Sequence, residues 1–281
     1  MYLCLSDFYF IGIMELNLAI LCKSVARIAM EIGHYQKEER KRFKKSDIEH
    51  KQTNDYVSYV DKQSEKRIVE ALKKLLPEAG FITEEGSASY QDETYCWIID
   101  PLDGTTNYIH DYAPYCVSIA LWRGNNPLLA VIYEVCCDEC FTAWKNGGAW
   151  LNGKRIHVSG TKDLNQACML IEFPYDAHLY KETALHLVNS LYGKVAALRM
   201  NGSAAASMCY VAAGRVDGWM ESFINAWDFA AATLLVTEAG GKVTNLEGGQ
   251  LTVKDRNVIA TNAIFHSVFE ELISECPSHK K

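Results

Sequence analysis

With 281 residues, 49% of them apolar and 22% charged, the chain can bury a sizeable core as one large domain or as two fused lobes. The net charge of -7 argues against a nucleic acid as the default partner, because binding to phosphate backbones requires an excess of Lys and Arg. A single C-x-x-C among ten cysteines, with no second pair, favours reduced thiols over zinc. No segment has the pattern of a signal peptide or a membrane span, so we expect a cytoplasmic protein with no membrane partner.

The N-terminal region contains the first predicted helix. Apolar residues at helical spacing predict a helix over residues 14–32, and Gly33 is expected to cap its C-terminus. We expect Met14 to be the natural start, because the helical pattern opens there after a short apolar and aromatic stretch. The basic run at residues 37–45 predicts a solvated loop, with a mobile flap near an anionic substrate as the alternative.

Three predicted elements then lead to two acidic segments. A helix is predicted after Asp61, with apolar residues on one face and Pro77 beyond its end. Residues 81–83 predict a short strand that ends at the acidic pair Glu84 and Glu85. Residues 96–99 predict a buried strand that ends at Asp100. Each of these two strands is thus followed directly by carboxylates.

The rest of the chain changes from strands to alternating helices and strands. Strands are predicted at residues 116–122, 128–135 and 139–144, with turns rich in Asn and Gly between them. Helices are predicted at 183–192, 203–213 and 229–239, and strands at 242–245 and 258–261. The pattern predicts sheets covered by helices in two fused lobes, 14–151 and 152–281, which meet near residues 152–160.

The segment at residues 97–107 carries the chemistry. A buried strand delivers Asp100 to its end, and Pro101 forces the chain to turn, which brings Asp103 to the same side. Two carboxylates held this close repel each other, and a cation is the usual remedy. Because carboxylate and carbonyl oxygens are the ligands that Mg²⁺ prefers, the pair indicates a magnesium site.

A possible anion cradle follows the two acids directly. Gly104 permits a close approach of the backbone to a ligand, and Thr105 and Thr106 add hydroxyls at the expected start of a helix. Metal ligands joined to a phosphate cradle are typical of a metal-assisted phosphatase. D-x-x-D alone is weak evidence, since Asp-Pro and Asp-Gly are common in turns, but the whole octad is far more specific.

The octad at residues 100–107 resembles the first signature of the inositol monophosphatase family. Three further segments resemble family motifs in the same order along the chain: the acidic pair at residues 84–85, the segment at 201–205 followed by 211–214, and residues 227–231 running on to 237–241. The resemblance covers nearly the whole chain from Met14. It implies the α+β fold of the sugar phosphatases, a layered αβαβα sandwich.

The resemblance also implies a set of metal ligands for two or three Mg²⁺ ions. Glu85, Asp100 and the backbone carbonyl of Leu102 would hold one ion, and Asp100, Asp103 and Asp228 would hold a second. A third, weaker site would use Glu85 and water. Taken alone, Asp228 before a helix would more often be an N-cap, and Glu84 with Glu85 an exposed acidic turn.

Catalytic and substrate-binding roles follow from the same resemblance. Thr105, near Glu85, would orient and deprotonate the attacking water, and Asp61 would support Thr105. The phosphate would be bound by Gly104, Thr105 and Thr106. The remaining substrate contacts would come from Gly202, Ser203, Ala204, Glu221 and Asp228.

The substrate is expected to be a small phosphorylated polyol. Glu221 lies seven residues before Asp228, where inositol-type members carry an acid that accepts a hydrogen bond from a ring hydroxyl. A carboxylate is a poor neighbour for a second phosphate, which favours myo-inositol 1-phosphate over fructose 1,6-bisphosphate or a 3'(2'),5'-bisphosphate nucleotide. A regulatory protein that binds the transcription machinery is the alternative from another class. The resemblance further implies a homodimer and makes inhibition by lithium an expectation.

Overall fold

The computed structural model describes residues 16–52, 55–173 and 177–277. Within these ranges the chain forms seven α-helices and fourteen β-strands, and the strands belong to three sheets. None of the helices in this described part combines the length and the apolar composition that crossing a membrane requires. The expected start at Met14 lies outside the described residues.

The larger sheet follows the order of the chain. Its seven strands are β3 (Gly80–Thr83), β4 (Cys96–Asp103), β5 (Cys116–Arg123), β6 (Asn126–Glu134), β7 (Glu139–Trp144), β8 (Gly148–Leu151) and β9 (Lys154–Ile156). β3 pairs parallel to β4, and every later pair is antiparallel. Antiparallel neighbours can be joined by tight turns, which agrees with the turn residues found between these strands.

The second sheet has five strands in a mixed arrangement. β10 (Cys168–Ile171) lies parallel to its two neighbours, β11 (Ala197–Arg199) and β12 (Gly218–Ser222). β14 (Asn257–Thr261) pairs antiparallel with both β12 and β13 (Lys242–Thr244). A separate two-stranded ribbon consists of β1 (Ile48–Gln52) and β2 (Asp55–Ser58).

The helices form three layers around the two sheets. They are α1 (Leu18–Arg40), α2 (Tyr59–Leu75), α3 (Thr105–Ile109), α4 (Ala177–Leu191), α5 (Ala204–Ala212), α6 (Ala226–Glu238) and α7 (His266–Glu275). α1 and α2 cover one face of the larger sheet, α5 and α6 lie between the two sheets, and α4 and α7 cover the outer face of the smaller sheet.

The alternation of side chains along the strands shows why these layers form. Trp97 on β4 faces the cluster under α1 and α2, whereas Ile98 faces α5 and α6. Trp219 on β12 faces α5 and α6, whereas Met220 faces α4 and α7. Because both faces of each sheet are apolar, each sheet needs a helical layer on both sides. The predicted αβαβα sandwich is confirmed.

The first helix is longer than predicted. α1 continues through Gly33 to Arg40, so the expectation that Gly33 caps the helix is wrong. A Cβ at Gly33 would collide with the ring of Tyr133, so this glycine lets the helix pass close to the larger sheet. The prediction of a loop at residues 37–45 is likewise wrong for residues 37–40, which form the last turn of α1.

Several short elements were not predicted, namely β1, β2, β8 to β12 and α7. Among them, β9 is the last strand of the larger sheet, which therefore extends to Ile156 and passes the expected lobe boundary at residues 151–152. The division into two lobes stays a prediction, and we propose a boundary just after β9.

Candidate metal centre

A β-bulge in β4 brings two aspartates to one face of the larger sheet. Asp100 lies opposite Ser118 of β5 and Asp103 lies opposite Cys116, so three residue steps on β4 match two steps on β5. In a regular strand, residues three apart point to opposite faces, whereas residues two apart share a face. The extra residue in the segment that contains Pro101 therefore turns Asp103 to the same face as Asp100.

The third aspartate of the centre comes from α6. Carboxylate oxygens of Asp100, Asp103 and Asp228 lie within 4.8 Å of one another. Asp228 is the third residue of α6, and the N-cap is Asn225. One carboxylate oxygen of Asp228 accepts a hydrogen bond from the Asn225 N–H at 2.6 Å. Because a carboxylate has two oxygens, Asp228 can stabilise the helix start and also belong to the cluster.

Burial raises the pKa values of the three aspartates, and neighbouring carboxylates raise those of Asp100 and Asp228 further. The pKa of Asp100 lies well above its usual range, first because of burial and then because of the charge of Glu84. Burial also raises the pKa of Asp103 to about 6 and the pKa of Asp228 to about 7. Like charges at this spacing favour any proton or cation that neutralises them.

The hydroxyl of Thr105 lies between Asp61 and the backbone carbonyl of Leu102. The distance from Thr105 Oγ1 is 3.0 Å to Asp61 Oδ1 and 3.0 Å to the Leu102 oxygen. Asp61 is fully buried in the first turn of α2, and its other oxygen accepts hydrogen bonds from the N–H and hydroxyl of Ser58, at 2.9 and 2.6 Å. The structure thus brings Asp61, Leu102 and Thr105 together, with Thr106 partly exposed in the same first turn of α3.

Asp103 connects the acidic cluster to α5. Its Oδ2 accepts hydrogen bonds from the hydroxyl of Ser203 and, at 2.9 Å, from the N–H of Ala205. Ser203 is the N-cap of α5, and its hydroxyl oxygen also accepts the N–H of Ala206 at 3.3 Å. Ala204 is buried in the same turn. Ser203 and Ala204, two expected substrate contacts, therefore lie beside an expected metal ligand.

Two glycines allow the loops from the two sheets to meet. Gly104 has a φ of 90° and Gly202 a φ of 70°. A Cβ at Gly104 would lie 3.0 Å from the carbonyl oxygen of Pro114 and 3.3 Å from that of Gly202. Asn107 Nδ2 links the same loops, because it donates to the carbonyl oxygens of Pro114 at 2.8 Å and Asn201 at 2.7 Å.

Of the acidic pair, Glu84 acts directly on the aspartate cluster. Its charge is the largest cause after burial of the raised pKa of Asp100, and a side-chain hydrogen bond joins the two groups. Glu85 is held through its backbone, since its N–H donates to Oε2 of the buried Glu65 at 2.7 Å. The sequence resemblance points to Glu85 and passes over Glu84 and Glu65. The assignment of Glu85 as a ligand and catalytic residue stays a prediction.

Glu221 lies near a second buried acid, Glu172, which the sequence patterns did not reveal. Glu221 is on β12 and 9% exposed, and Glu172 directly follows β10 and is 4% exposed. Because β10 and β12 are parallel, both acids lie at the same end of the sheet. Burial, followed by the charge of Glu172, raises the pKa of Glu221 well above its usual range. The apolar run at residues 168–171 was the available signal for β10.

The donor set of this centre fits magnesium. The groups that converge are carboxylates and a backbone carbonyl, the hard oxygen ligands that Mg²⁺ prefers. In the parts of the chain that the structure describes, these three aspartates form the only group of three or more potential ligands drawn from His, Cys, Asp and Glu. A divalent cation would offset both the burial of these carboxylates and the repulsion between them.

The fold and the site together define a class of layered α+β proteins with a cluster of carboxylates that could hold metal ions. The sequence model of the inositol monophosphatase family matches residues 18–280. The chain belongs to the inositol monophosphatase family.

Some relatives of the chain are named SuhB, and others are named inositol monophosphatases. The Nus factor SuhB of Escherichia coli strain K12 is 42% identical over 213 residues, which cover 75% of this chain and 80% of that protein. The inositol-1-monophosphatase of Mesorhizobium japonicum is 39% identical over 211 residues, which cover 75% of this chain and 79% of that protein. The crystal structure of the extragenic suppressor protein suhB from Bartonella henselae matches with a TM-score of 0.84 at 34% identity, covering 92% of this chain and 99% of that one.

Replacing Gly104 by alanine should destabilise the protein more than the same change at Gly124. Both glycines have a positive φ, which costs a side-chain-bearing residue about 1–2 kcal/mol. The new methyl at Gly104 would also press on backbone oxygens, whereas the one at Gly124 would meet no atom within 4 Å. Urea unfolding of both variants measures the difference, and equal losses of stability would contradict the close approach of the two loops.

Proposed function

We propose that this protein is a magnesium-dependent phosphatase that hydrolyses a phosphate monoester, with myo-inositol 1-phosphate as the favoured substrate. The observation that carries the proposal is the convergence of Asp100, Asp103 and Asp228 within 4.8 Å in a chain of the inositol monophosphatase family. Two or three Mg²⁺ ions per site would be held by these aspartates, the acidic pair and the carbonyl of Leu102.

Bound Mg²⁺ supplies charge neutralisation at the phosphate and lowers the pKa of a coordinated water molecule. The task of Asp61 and Thr105 is then to orient the attacking water. When the Thr105 hydroxyl donates its hydrogen to Asp61 Oδ1, the free lone pairs of Oγ1 can accept a hydrogen bond from that water. Asp61 is held in turn by two hydrogen bonds from Ser58, so the hydroxyl orientation is set before substrate binds.

Gly104, Thr105 and Thr106 are the proposed phosphate contacts, and the turn at Gly202 to Ala204 would contact the polyol. The close approach of Gly104 and Gly202 supports this assignment, because it brings the two segments next to each other and beside the aspartate cluster. Gly104 and Gly202 have a positive φ and no side chain, so the oxygens of a ligand could approach the backbone of these loops more closely than they could at a bulkier residue.

Glu84 is the stronger candidate for the carboxylate that the acidic pair contributes to the metal. The support is electrostatic: Glu84 is the glutamate that acts on Asp100, and the two side chains share a hydrogen bond. The backbone N–H of Glu85 is bound by Glu65, and its carboxylate is the other candidate ligand of the pair.

The proposed choice of substrate depends on Glu221. The side chain is buried at the same end of the smaller sheet as Glu172; Glu221 lies close enough to Asp103 and Asp228 for the charges to interact, and Glu172 lies close enough to Asp103. Two acids in one pocket favour the hydroxyl groups of a polyol as hydrogen-bond donors and repel a second phosphate. This supports a monophosphate over fructose 1,6-bisphosphate or a bisphosphate nucleotide.

A second candidate function is a regulatory role in transcription, which the names of several relatives favour. Proteins about 42% identical to this chain are called Nus factors. A regulatory role would not need the metal ligands, so an Asp100→Asn variant would keep partner binding and lose phosphatase activity. A homodimer, inhibition by lithium and a cytoplasmic location also remain predictions of the family resemblance.

Phosphate release should be fastest from inositol 1-phosphate when Mg²⁺ is present. The measurement compares inositol 1-phosphate, fructose 1,6-bisphosphate and adenosine 3',5'-bisphosphate at equal concentrations, with and without EDTA. EDTA should abolish release, because the carboxylates alone cannot neutralise the phosphate. Preference for a bisphosphate would overturn the substrate assignment and keep the metal mechanism. No release from any ester would favour the regulatory candidate.

Glu84→Gln should weaken metal binding more than Glu85→Gln. Glu84 is the proposed ligand, so its loss should remove both a charge and a ligand, whereas loss of a carboxylate that is not a ligand removes only part of the local field. The affinity can be measured with Mn²⁺, which accepts the same oxygen ligands and whose free concentration is read by electron paramagnetic resonance. A larger loss in Glu85→Gln would reverse the assignment.

Glu221→Gln should raise KM for inositol 1-phosphate about tenfold and leave the hydrolysis of a small generic ester such as p-nitrophenyl phosphate unchanged. A hydrogen bond to a charged acceptor is worth about 1.5–3 kcal/mol, and a generic ester has no ring hydroxyl to donate it. Steady-state kinetics on both substrates provides the test. Equal losses on the two esters would count against a role in recognising the polyol.

A further inference from the structure

We propose that Glu65 is a positioning residue of the metal centre: its buried carboxylate fixes the backbone of the acidic pair and thereby sets the affinity for the cation. This inference rests on the proposed function, since it requires the acidic pair to contribute to metal binding. Glu65 itself would not touch the metal or the substrate.

Both carboxylate oxygens of Glu65 bind the loop that carries the acidic pair. Oε2 accepts the N–H of Glu85 at 2.7 Å, and Oε1 accepts the N–H of Ser87 at 2.8 Å. The N–H of Glu84 donates to the carbonyl of Ile99 on β4 at 3.3 Å. The loop is therefore held by the N–H groups of Glu84, Glu85 and Ser87, and two of these three groups bind the side chain of Glu65.

The loop lies outside the regular secondary structure. Residues 84–95 form no helix or strand, so no ladder of backbone hydrogen bonds fixes their course. Gly86 lies between the two N–H groups that Glu65 binds, and a Cβ there would meet no atom within 4 Å. Packing therefore does not constrain Gly86, whereas the two hydrogen bonds to Glu65 hold the backbone on either side of it.

Glu65 lies in a well-packed part of the structure. Glu65 is fully buried on α2, where Ile68 and Leu72 are also fully buried against the larger sheet. Asp61 lies four residues earlier on the same face of α2 and binds the hydroxyl of Thr105. One face of a single helix therefore orients two separate loops of the site, the water-orienting threonine through Asp61 and the acidic pair through Glu65.

Mutation of a residue that positions metal ligands has a different effect from mutation of a residue that only stabilises the fold. Groups that orient metal ligands without binding the metal typically change metal affinity by about 10–100-fold when they are mutated. A residue that only stabilises the fold would change the free energy of unfolding and leave the affinity of the folded protein as it is. Metal affinity and stability can therefore separate the two roles.

The experiment titrates Mn²⁺ into the full-length protein and follows free Mn²⁺ by electron paramagnetic resonance, without substrate. Glu65→Gln replaces one acceptor oxygen by an NH₂ group that cannot accept a backbone N–H, and it should weaken Mn²⁺ binding about 10–100-fold. Glu70→Gln is the matched control, because Glu70 is exposed on the same helix, and it should bind Mn²⁺ as the wild type does. At saturating Mg²⁺, KM for inositol 1-phosphate in Glu65→Gln should return to the wild-type value.

Wild-type affinity in a folded Glu65→Gln variant, checked by circular dichroism, would overturn the inference. If Glu65→Gln does not fold, Glu65→Asp is measured in its place. This variant keeps the charge but moves the carboxylate oxygens away from the loop by the length of one methylene group. Wild-type affinity in Glu65→Asp would also overturn the inference. Absence of Mn²⁺ binding by the wild type would instead sink the proposed function, so the two failures are distinguishable.

Discussion

Three carboxylates held within 4.8 Å in a largely buried place repel one another, and the surrounding structure exists to hold them there against that repulsion. Their raised pKa values measure the cost of the arrangement. Each aspartate accepts a hydrogen bond from a backbone N–H group: Asp100 from Leu102, Asp103 from Ala205 and Asp228 from Asn225. A divalent cation bound at such a site would stabilise the folded protein, because its charge would offset the repulsion between the carboxylates.

The layered fold explains how the acids are brought together from distant parts of the chain. The larger sheet supplies Asp100 and Asp103 through the bulge in β4, and α6 supplies Asp228 from the layer between the two sheets. Hydrogen bonds from Ser203 and Ala205 to Asp103 join the start of α5 to the same sheet. The acidic centre is thus a junction between both halves of the chain, and a loss of packing between them would open it.

Further buried acids lie around the cluster. Glu172 and Glu221 lie at one end of the smaller sheet, while Glu65 and Asp61 bind two loops of the site from α2. Under the proposed function, Glu172 and Glu221 would favour the hydroxyl donors of a polyol and disfavour a second anion. The names of the relatives, inositol-1-monophosphatase and Nus factor, leave catalysis and partner binding to be separated by the variants proposed above.

The sequence by itself determined the layered fold class and predicted the three aspartates that the structure brings together. The octad at residues 100–107 indicated a magnesium centre, and strong periodicity located the long helices and the central strands. Sequence patterns failed where tertiary contacts decide the outcome. Gly33 resembles a helix cap but lies inside α1, because the ring of Tyr133 leaves no room for a side chain. The turn at Pro101 correctly placed Asp103 beside Asp100, but the register with β5 that produces this placement was not visible in the sequence, nor was the contact of the buried Glu65 with the loop of the acidic pair. Local sequence sets periodicity and turn chemistry, whereas the register of a strand and the partner of a buried carboxylate are set by residues far away in the chain.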